Sequence, residues 1–192
     1  MEINEQDIIK AHDIARQTGA DSTCKVLEAL FPTIDFSPKD NRPVTERIKT
    51  LDDACIALGY DPKIIKEQLA DCVFDSPDEV AYHKLRIIVQ ALNEGWEPQF
   101  TEDEKRWCPW FWLYTQDEIK EMEAEEMQNR RMTDTGEYQT SYSGFAFAYS
   151  DNAPSYSAAN VGSRLCLKTE AIATYCGKQF IELWMDLCLI RK

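Results

Sequence analysis

The chain is short of histidine, of basic side chains and of long apolar runs. Its 192 residues include two histidines, and 21 Lys and Arg stand against 34 Asp and Glu, for a net charge of −13. Because nucleic-acid backbones are bound by clustered Lys and Arg, this balance argues against direct nucleic-acid binding. No apolar run reaches the roughly 20 residues of a membrane-spanning helix, and the acidic N-terminus lacks the pattern of a secretion signal. The sequence therefore predicts a cytoplasmic protein with neither nucleic acid nor membrane as a direct partner.

Motifs that would mark a catalytic or metal site are also missing. Neither His12 nor His83 has a Cys, Asp or Ser at a spacing typical of catalysis, and no phosphate-loop, zinc-protease or nucleophile-elbow motif occurs. The seven cysteines are odd in number and include no C-x-x-C pair, which disfavours a zinc site. Cysteines that act as small apolar side chains are typical of a reducing compartment. The sequence predicts a protein that is not an enzyme and that holds no cofactor or metal.

Short helices with defined starts are predicted for residues 1–95. The capping-box pattern is a Ser or Thr followed three residues later by an acidic side chain, and it marks the start of a helix. The longest predicted helix ends at Gly95, and its apolar residues recur at the helical period at Ala81, Leu85, Ile88 and Leu92. Helix starts with this pattern are predicted at Thr50–Asp53, Ser76–Glu79 and Thr115–Glu118.

The composition changes near Trp96, where aromatic residues become dense. Trp107, Trp110 and Trp112 stand close together with two phenylalanines. Such density favours a strand at the edge of the core, and stacking on a sugar or a base is the alternative. Residues 96–192 are therefore predicted to be an aromatic-rich α+β region, which forms either a separate domain or one continuous domain with the helical region before it.

Two strands and a last helix are predicted in the second half. Phe145, Phe147 and Tyr149 alternate with alanines, which is the period of a strand. Residues 161–168 alternate in the same way, so the two segments are predicted to pair, with Thr169 capping one long amphipathic helix after them. The predicted fold class is α+β, with a helical N-terminal half, a small antiparallel sheet and a final amphipathic helix.

The connection between these two predicted strands is rich in Tyr, Ser and Asn. Tyr supplies rigid contact area, while Ser and Asn supply adaptable hydrogen bonds, as in antibody contact loops. A long loop of this composition, held by a scaffold, predicts a binding surface. Arg164, on the second predicted strand, either binds an anion or pairs with the acidic surface. The displayed residues are predicted to be Tyr149, Asp151, Asn152, Ser155, Tyr156, Ser157 and Asn160.

Three blocks of the sequence resemble a known family. They are RPVTERIKTLDDACIALG (42–59), ALNEGWEPQFTEDEKRWCPWFWLYTQDEI (91–119) and GSRLCLKTEAIATYCGKQFIELWMDL (162–187). Together they resemble a family of uncharacterised proteins found in gut-bacterial genomes, prophages and mobile elements. The resemblance implies a phage or mobile-element origin and a bacterial host.

Residues 141–165 resemble a second group of proteins. The segment GFAFAYSDNAPSYSAANVGSRL is similar to the variable tails of proteins diversified by retroelements, which usually have a C-type-lectin-like fold. From Ser141 to Leu165 the segment contains no Lys, Glu, Gln, Trp or Met, the five residues that this mechanism does not produce. The resemblance implies a variable contact surface, and a plain Ser-, Ala- and Tyr-rich hairpin is the alternative.

These observations lead to one functional prediction and two alternatives. The prediction is a non-enzymatic binding protein of phage or mobile-element origin that contacts a protein partner through residues 149–160. The first alternative is an acidic phage inhibitor of a host defence or nucleic-acid enzyme. The second is a virion or assembly component, for which the virion replaces the host cytoplasm as the location.

Overall fold

The computed structural model describes residues 4–36, 40, 42–71, 76–154 and 162–192. The chain divides into two compact units, Met1–Arg42 and Pro43–Lys192. The change in composition at Trp96, at which the sequence was divided into 1–95 and 96–192, lies within the second unit. The core of that unit takes side chains from both sides of Trp96, for example Leu85 and Leu167.

Two helices make up the first unit, α1 (Glu5–Gln17) and α2 (Asp21–Leu30). The side chain of Asn4 caps α1 by accepting a hydrogen bond of 2.9 Å from the backbone N–H of Asp7. His12 is buried on the inner face of α1, where its Nε2 lies 2.9 Å from Oε1 of Glu28 on α2. Its ring also stacks on Phe36 at 4.3 Å. His12 is therefore a residue that holds the unit together.

The second unit begins with four helices. They are α3 (Val44–Arg47), α4 (Leu51–Ala57), α5 (Pro62–Ala70) and α6 (Pro77–Asn93). The capping box of Thr50 and Asp53 is formed as predicted. α6 begins where it was predicted, but the side chain of Ser76 makes no capping hydrogen bond, so that predicted box is wrong. The apolar face of α6 is buried, because α4 and a C-terminal helix pack against it.

A three-stranded antiparallel sheet follows, in the order β1–β3–β2. Its strands are β1 (Lys105–Tyr114), β2 (Thr133–Asp134) and β3 (Gly144–Pro154), and the short helices α7 (Gln116–Glu121) and α8 (Ala124–Asn129) lie between β1 and β2 in the chain. The capping box of Thr115 and Glu118 opens α7 as predicted. β1 pairs with β3 along its whole length, with one bulge between Trp110 and Phe111 where Ala148 is the extra residue.

The predicted strand over residues 161–168 is wrong. Residues Ser163–Leu165 form a 3-10 helix, Val161 lies outside the described residues, and Leu167 alone bridges Trp107 on β1. Gly162 has a φ of +78°, which does not belong to a strand. Leu165, Cys166 and Leu167 are buried in succession, a pattern that strand alternation cannot produce. The place beside β3 is instead taken by β1.

Two helices, rather than the single one predicted, end the chain. They are α9 (Glu170–Gln179) and α10 (Ile181–Cys188), and the backbone leaves the helical conformation at Phe180. The break lets each helix bury its own apolar side chains, such as Ile172 and Cys176 from α9 and Trp184 from α10. With its helical first half, small antiparallel sheet and C-terminal helices, the structure confirms the predicted α+β class.

Gly177 is the residue at which α9 lies closest to the sheet. A Cβ on Gly177 would stand 2.7 Å from Cβ of Pro109 on β1 and 2.8 Å from Cδ2 of Phe147 on β3. Real Cβ atoms do not approach carbon this closely, so the spacing between helix and sheet requires glycine here. The inner face of the sheet is thereby packed directly on α9.

Replacing Gly177 by Ala is expected to lower the free energy of unfolding by about 1–3 kcal/mol, the usual effect of overpacking a core. Ala171→Gly, at an exposed position of the same helix, measures the helix preference for Ala over Gly, about 1 kcal/mol. Chemical denaturation of both variants checks the prediction. A Gly177→Ala protein more stable than wild type would show that only helix preference matters at this position.

Candidate functional site

Three aromatic side chains lie exposed on the outer face of the sheet. Trp110 and Trp112 are on β1 and Tyr149 is on β3, with exposed fractions of 41%, 52% and 44%. We call these three residues the aromatic surface. Because side chains alternate along a strand, Phe111, which lies between the two tryptophans, packs against the core on the other face. The strand pair thus sorts its aromatic residues into a buried set and a displayed set.

The rings of the aromatic surface contact one another across the two strands. Trp110 and Tyr149 are directly opposite in the register, and their rings are stacked with centroids 6.0 Å apart and an interplanar angle of 10°. The ring of Trp112 lies 6.3 Å from that of Tyr149 and is tilted by 57°. Cross-strand aromatic pairs stabilise a sheet, so the pairing holds the rings in place before any ligand arrives.

The bulge at Ala148 brings Tyr149 to this face. Regular alternation would put Tyr149 on the same side as Phe147, whose ring is buried. The extra residue shifts the register, so that Tyr149 points outward, while the Oγ of Ser150 lies 3.1 Å from Oγ1 of Thr174 on α9. Asp151 is exposed and Asn152 is half-buried.

The predicted contact residues are only partly described by the structure. Tyr149, Asp151 and Asn152 lie on β3, which continues to Pro154. Tyr149 lies on a strand as predicted, whereas the prediction that Asp151 and Asn152 belong to the connecting loop is wrong, because β1 is long enough to pair with this whole segment. The other four predicted residues, Ser155, Tyr156, Ser157 and Asn160, lie outside the described residues.

The sequence did not place Trp110 and Trp112 among the predicted contact residues, and named them only in the alternative of stacking on a sugar or a base. A place at the edge of the core was predicted for the tryptophan cluster, and this is confirmed for Trp107, which packs against the core. It is wrong for Trp110 and Trp112. Their separation by one phenylalanine was the available signal, since residues two apart on a strand share a face.

Two acidic helices, α7 and α8, lie next to β3. Ile119 on α7 and Met132 cover Gly144 on β3. A groove of about 560 Å³ is lined by Glu123, Glu125 and Glu126 of the α8 segment and by Ala148, the neighbour of Tyr149. Two basic residues, Arg130 and Lys178, also line it. Arg130 pairs with Glu126 at 2.8 Å. The exposed carboxylates of this region are Asp117, Glu118, Glu121, Glu123, Glu125 and Glu126.

The outer face is closed at the other end of the strand pair. Cys108 is buried there, and its Sγ lies 3.9 Å from Sγ of Cys166. The hydrogen bond between the thiols lowers the pKa of Cys166, and the same bond together with burial raises the pKa of Cys108. Arg106 is buried beyond them under the ring of Phe100, with Cζ 3.8 Å from the ring centroid. The aromatic surface is therefore bounded on this side by packed residues.

Arg164 does not lie with the aromatic surface in a single site. It is exposed on the 3-10 helix and lines a groove of about 410 Å³ with residues of α6 and of the turn after it. The position of this segment is fixed by Asn93, whose Nδ2 donates to the carbonyl of Cys166 at 2.9 Å and whose Oδ1 accepts from the backbone N–H of Lys168 at 3.1 Å. One buried amide thus joins α6 to the segment that carries Arg164.

Glu94 adds a second link between α6 and the same segment. Its carboxylate accepts a hydrogen bond of 2.7 Å from Nζ of Lys168 and pairs with Arg47 on the other side. The hydrogen bond from Lys168, helped by Arg47, lowers the pKa of Glu94 below its usual value of 4.5. The ionised form of Glu94 is therefore the one that the fold favours.

The described residues hold no recognisable metal centre. No group of three or more His, Cys, Asp or Glu in the described part of the chain is placed to hold a metal ion. His12 is engaged between two helices, and His83 lies exposed on α6 beside Tyr82, with ring centroids 5.7 Å apart. Within the described ranges, no helix has both the length and the apolar character needed to cross a lipid bilayer.

Comparisons of the chain with protein-family models, with curated proteins and with solved structures found no match. They do not bear on the two resemblances described from the sequence, which stay predictions. The case for a function therefore rests on the chemistry of the residues themselves.

Replacing Glu94 by Gln is expected to lower the melting temperature by about 2–4 °C near pH 7, the effect of about 1 kcal/mol in a chain of this size. Because the pKa of Glu94 is lower in the folded chain than in the unfolded one, its contribution is complete above the usual value of 4.5 and is lost as the pH falls through the folded-state pKa. Thermal melts of wild type and variant should therefore converge in acid.

Glu102→Gln is the matched control, since it removes the same charge from an exposed side chain with no ion pair among the described residues. Its melting temperature should stay close to that of wild type at every pH. A Glu94→Gln difference that is the same in acid as near neutrality would contradict the assignment of the ion pairs.

Proposed function

We propose that the chain is a non-enzymatic binding protein that contacts a protein partner through the aromatic surface and Asp151. The observation that carries the proposal is the stacked, exposed pair of Trp110 and Tyr149. Large apolar side chains displayed together on a folded protein mark an interaction site. Trp and Tyr are the residues in which protein–protein binding energy concentrates.

A rigid platform lowers the cost of binding. Trp and Tyr lose few side-chain rotamers on contact, and the cross-strand packing of Trp110 on Tyr149 orders both rings beforehand. The sheet beneath them is fixed on its inner face by α9. Little conformational entropy is left to lose when a partner covers the rings, and this favours affinity.

The charge around the rings favours a partner that presents Lys and Arg. Asp151 is exposed on the same strand as Tyr149, and three carboxylates of the α8 segment line a groove with Ala148, the neighbour of Tyr149. Arginine guanidinium groups stack well on indole rings, and they also pair with carboxylates. A basic protein surface with an apolar centre therefore complements both features.

Stacking of a nucleobase on the tryptophans, an alternative raised by the sequence, is less well supported. Proteins that stack single-stranded nucleic acid place basic groups along the phosphate path. Here Asp151 is exposed on the same strand as Tyr149, and three carboxylates of the α8 segment line a groove with Ala148; these charges would repel a phosphate backbone. The same argument supports a second candidate function, an acidic inhibitor that occupies the basic site of a host defence or nucleic-acid enzyme. The phage or mobile-element origin implied by the resemblance accords with either role.

Removing two rings of the aromatic surface is expected to weaken partner binding by at least about thirtyfold, since a single hot-spot residue contributes roughly 2 kcal/mol or more. The test is a tagged capture from bacterial lysate with wild type, with the Trp110→Ala/Tyr149→Ala double variant, and with Tyr60→Ala as control. Tyr60 has an exposed fraction of 41%, close to that of Tyr149, and lies outside the surface. Affinities are then measured with the purified partner.

The proposal requires that the partner be lost from the double variant and kept by Tyr60→Ala. Both variants should melt within a few degrees of wild type, because surface substitutions cost little stability. Raising the salt from about 0.1 M to about 1 M should also weaken binding, since the Debye length falls from about 10 Å to about 3 Å. A partner retained by a folded double variant would show that binding occurs elsewhere.

A further inference from the structure

A groove on the second unit brings two arginine side chains together, away from the aromatic surface. Arg86 comes from α6 and Arg164 from the 3-10 helix, 78 positions later in the chain. Neither has an ion pair with a carboxylate among the described residues, whereas Arg16, Arg42, Arg47, Arg130 and Arg191 do. In a chain with 34 acidic residues, two guanidinium groups without a carboxylate partner in one groove form a local region of positive charge.

Hydrogen bonds hold the residues on the two sides of this groove in place. Arg86, Gln90 and Asn93 follow one another at spacings of four and three, so they share one face of α6. Both atoms of the Asn93 amide are engaged in fixing the backbone at Cys166 and Lys168, which holds Arg164 against that face. The side chain of Gln90 makes no hydrogen bond within the described part of the chain. Its amide is therefore available to a ligand.

The groove is also lined by the flat apolar indole of Trp96 and by one hydrogen-bond acceptor, the carboxylate of Glu97. Trp96 is half-buried, and its backbone N–H bonds to the carbonyl of Asn93 at 2.9 Å, which places the indole beside the helix end. Glu97 and Pro98 continue the rim. The volume of about 410 Å³ lies in the range of small-molecule sites. The charged residues that line the groove are Arg86, Arg164 and Glu97, so the net charge of the lining is +1.

We propose that this groove binds a phosphate monoester attached to a planar ring. A phosphate monoester carries a charge between −1.5 and −2 near neutral pH, and guanidinium groups bind it with paired hydrogen bonds. Arg86 and Arg164 hold the phosphate, and the indole of Trp96 stacks on the ring. Glu97 accepts a hydrogen bond from an amino group on the ring. The proposal is independent of the aromatic surface.

Calorimetric titration of the whole chain tests this site, with AMP, inorganic phosphate and adenosine as the probes. AMP should bind at concentrations below about 1 mM, which corresponds to about 4 kcal/mol. Inorganic phosphate should bind more weakly because it lacks the ring, and adenosine should bind more weakly because it lacks the charge. The comparison separates the contribution of the phosphate from that of the ring.

Arg86→Gln and Arg164→Gln should each weaken AMP binding at least about tenfold, the loss expected for charge-assisted hydrogen bonds. Arg164→Lys keeps the positive charge but removes the planar guanidinium group, so it should also weaken AMP binding. Lys63→Gln is the control, because it removes one positive charge from an exposed side chain outside the groove and should leave AMP binding unchanged. Circular dichroism verifies that each variant is folded.

Three results would overturn the proposal. One is the absence of AMP binding to wild type at about 10 mM, which corresponds to less than about 3 kcal/mol. Another is equal affinity for AMP in wild type and in both glutamine variants. The third is equal affinity for AMP and inorganic phosphate, which would leave an anion site without any role for Trp96 and the ring.

Discussion

The pairing of β1 with β3 is the interaction on which the rest of the second unit depends. It fixes ten residues of β1 opposite β3 and so decides which aromatic side chains face α9 and which face outward. Phe147 becomes a core residue and Phe111 packs against the core, whereas Trp110 and Tyr149 become a stacked, exposed pair. Gly177 completes the arrangement by letting α9 approach the inner face. Without this strand pair the apolar residues of the segment would have no common face.

The sequence predicted best those features whose causes are local. The caps at Thr50 and Thr115 are hydrogen bonds within a few residues, so a short pattern is enough to identify them. The α+β class followed from the change of period along the chain. The break at Phe180 was missed because the apolar period continues through it, while the turn there depends on packing against distant residues.

Features that depend on distant partners could not be predicted in this way. Residues 161–168 alternate like a strand, but β1 competes for the same edge of β3 and pairs along its whole length. The exposure of Trp110 depends on the same choice of partner. Tyr149 and Asp151 were predicted as displayed residues from composition alone, and they are exposed. The groove around Arg164 needs Arg86 from another helix, which no spacing in the sequence reveals.

The bulge at Ala148 also decides which changes in length the strand pair tolerates. Strand side chains alternate, so removing a residue at a regular position exchanges the two faces for every residue beyond it. Ala148 is the extra residue of β3, and its removal restores regular alternation while Phe147 stays inward and Tyr149 outward. Ala148 is therefore the position inside β3 at which one residue can be deleted while the side chains on both sides of it keep their faces of the sheet. Natural or designed variants that shorten β3 should lose this alanine before any other residue.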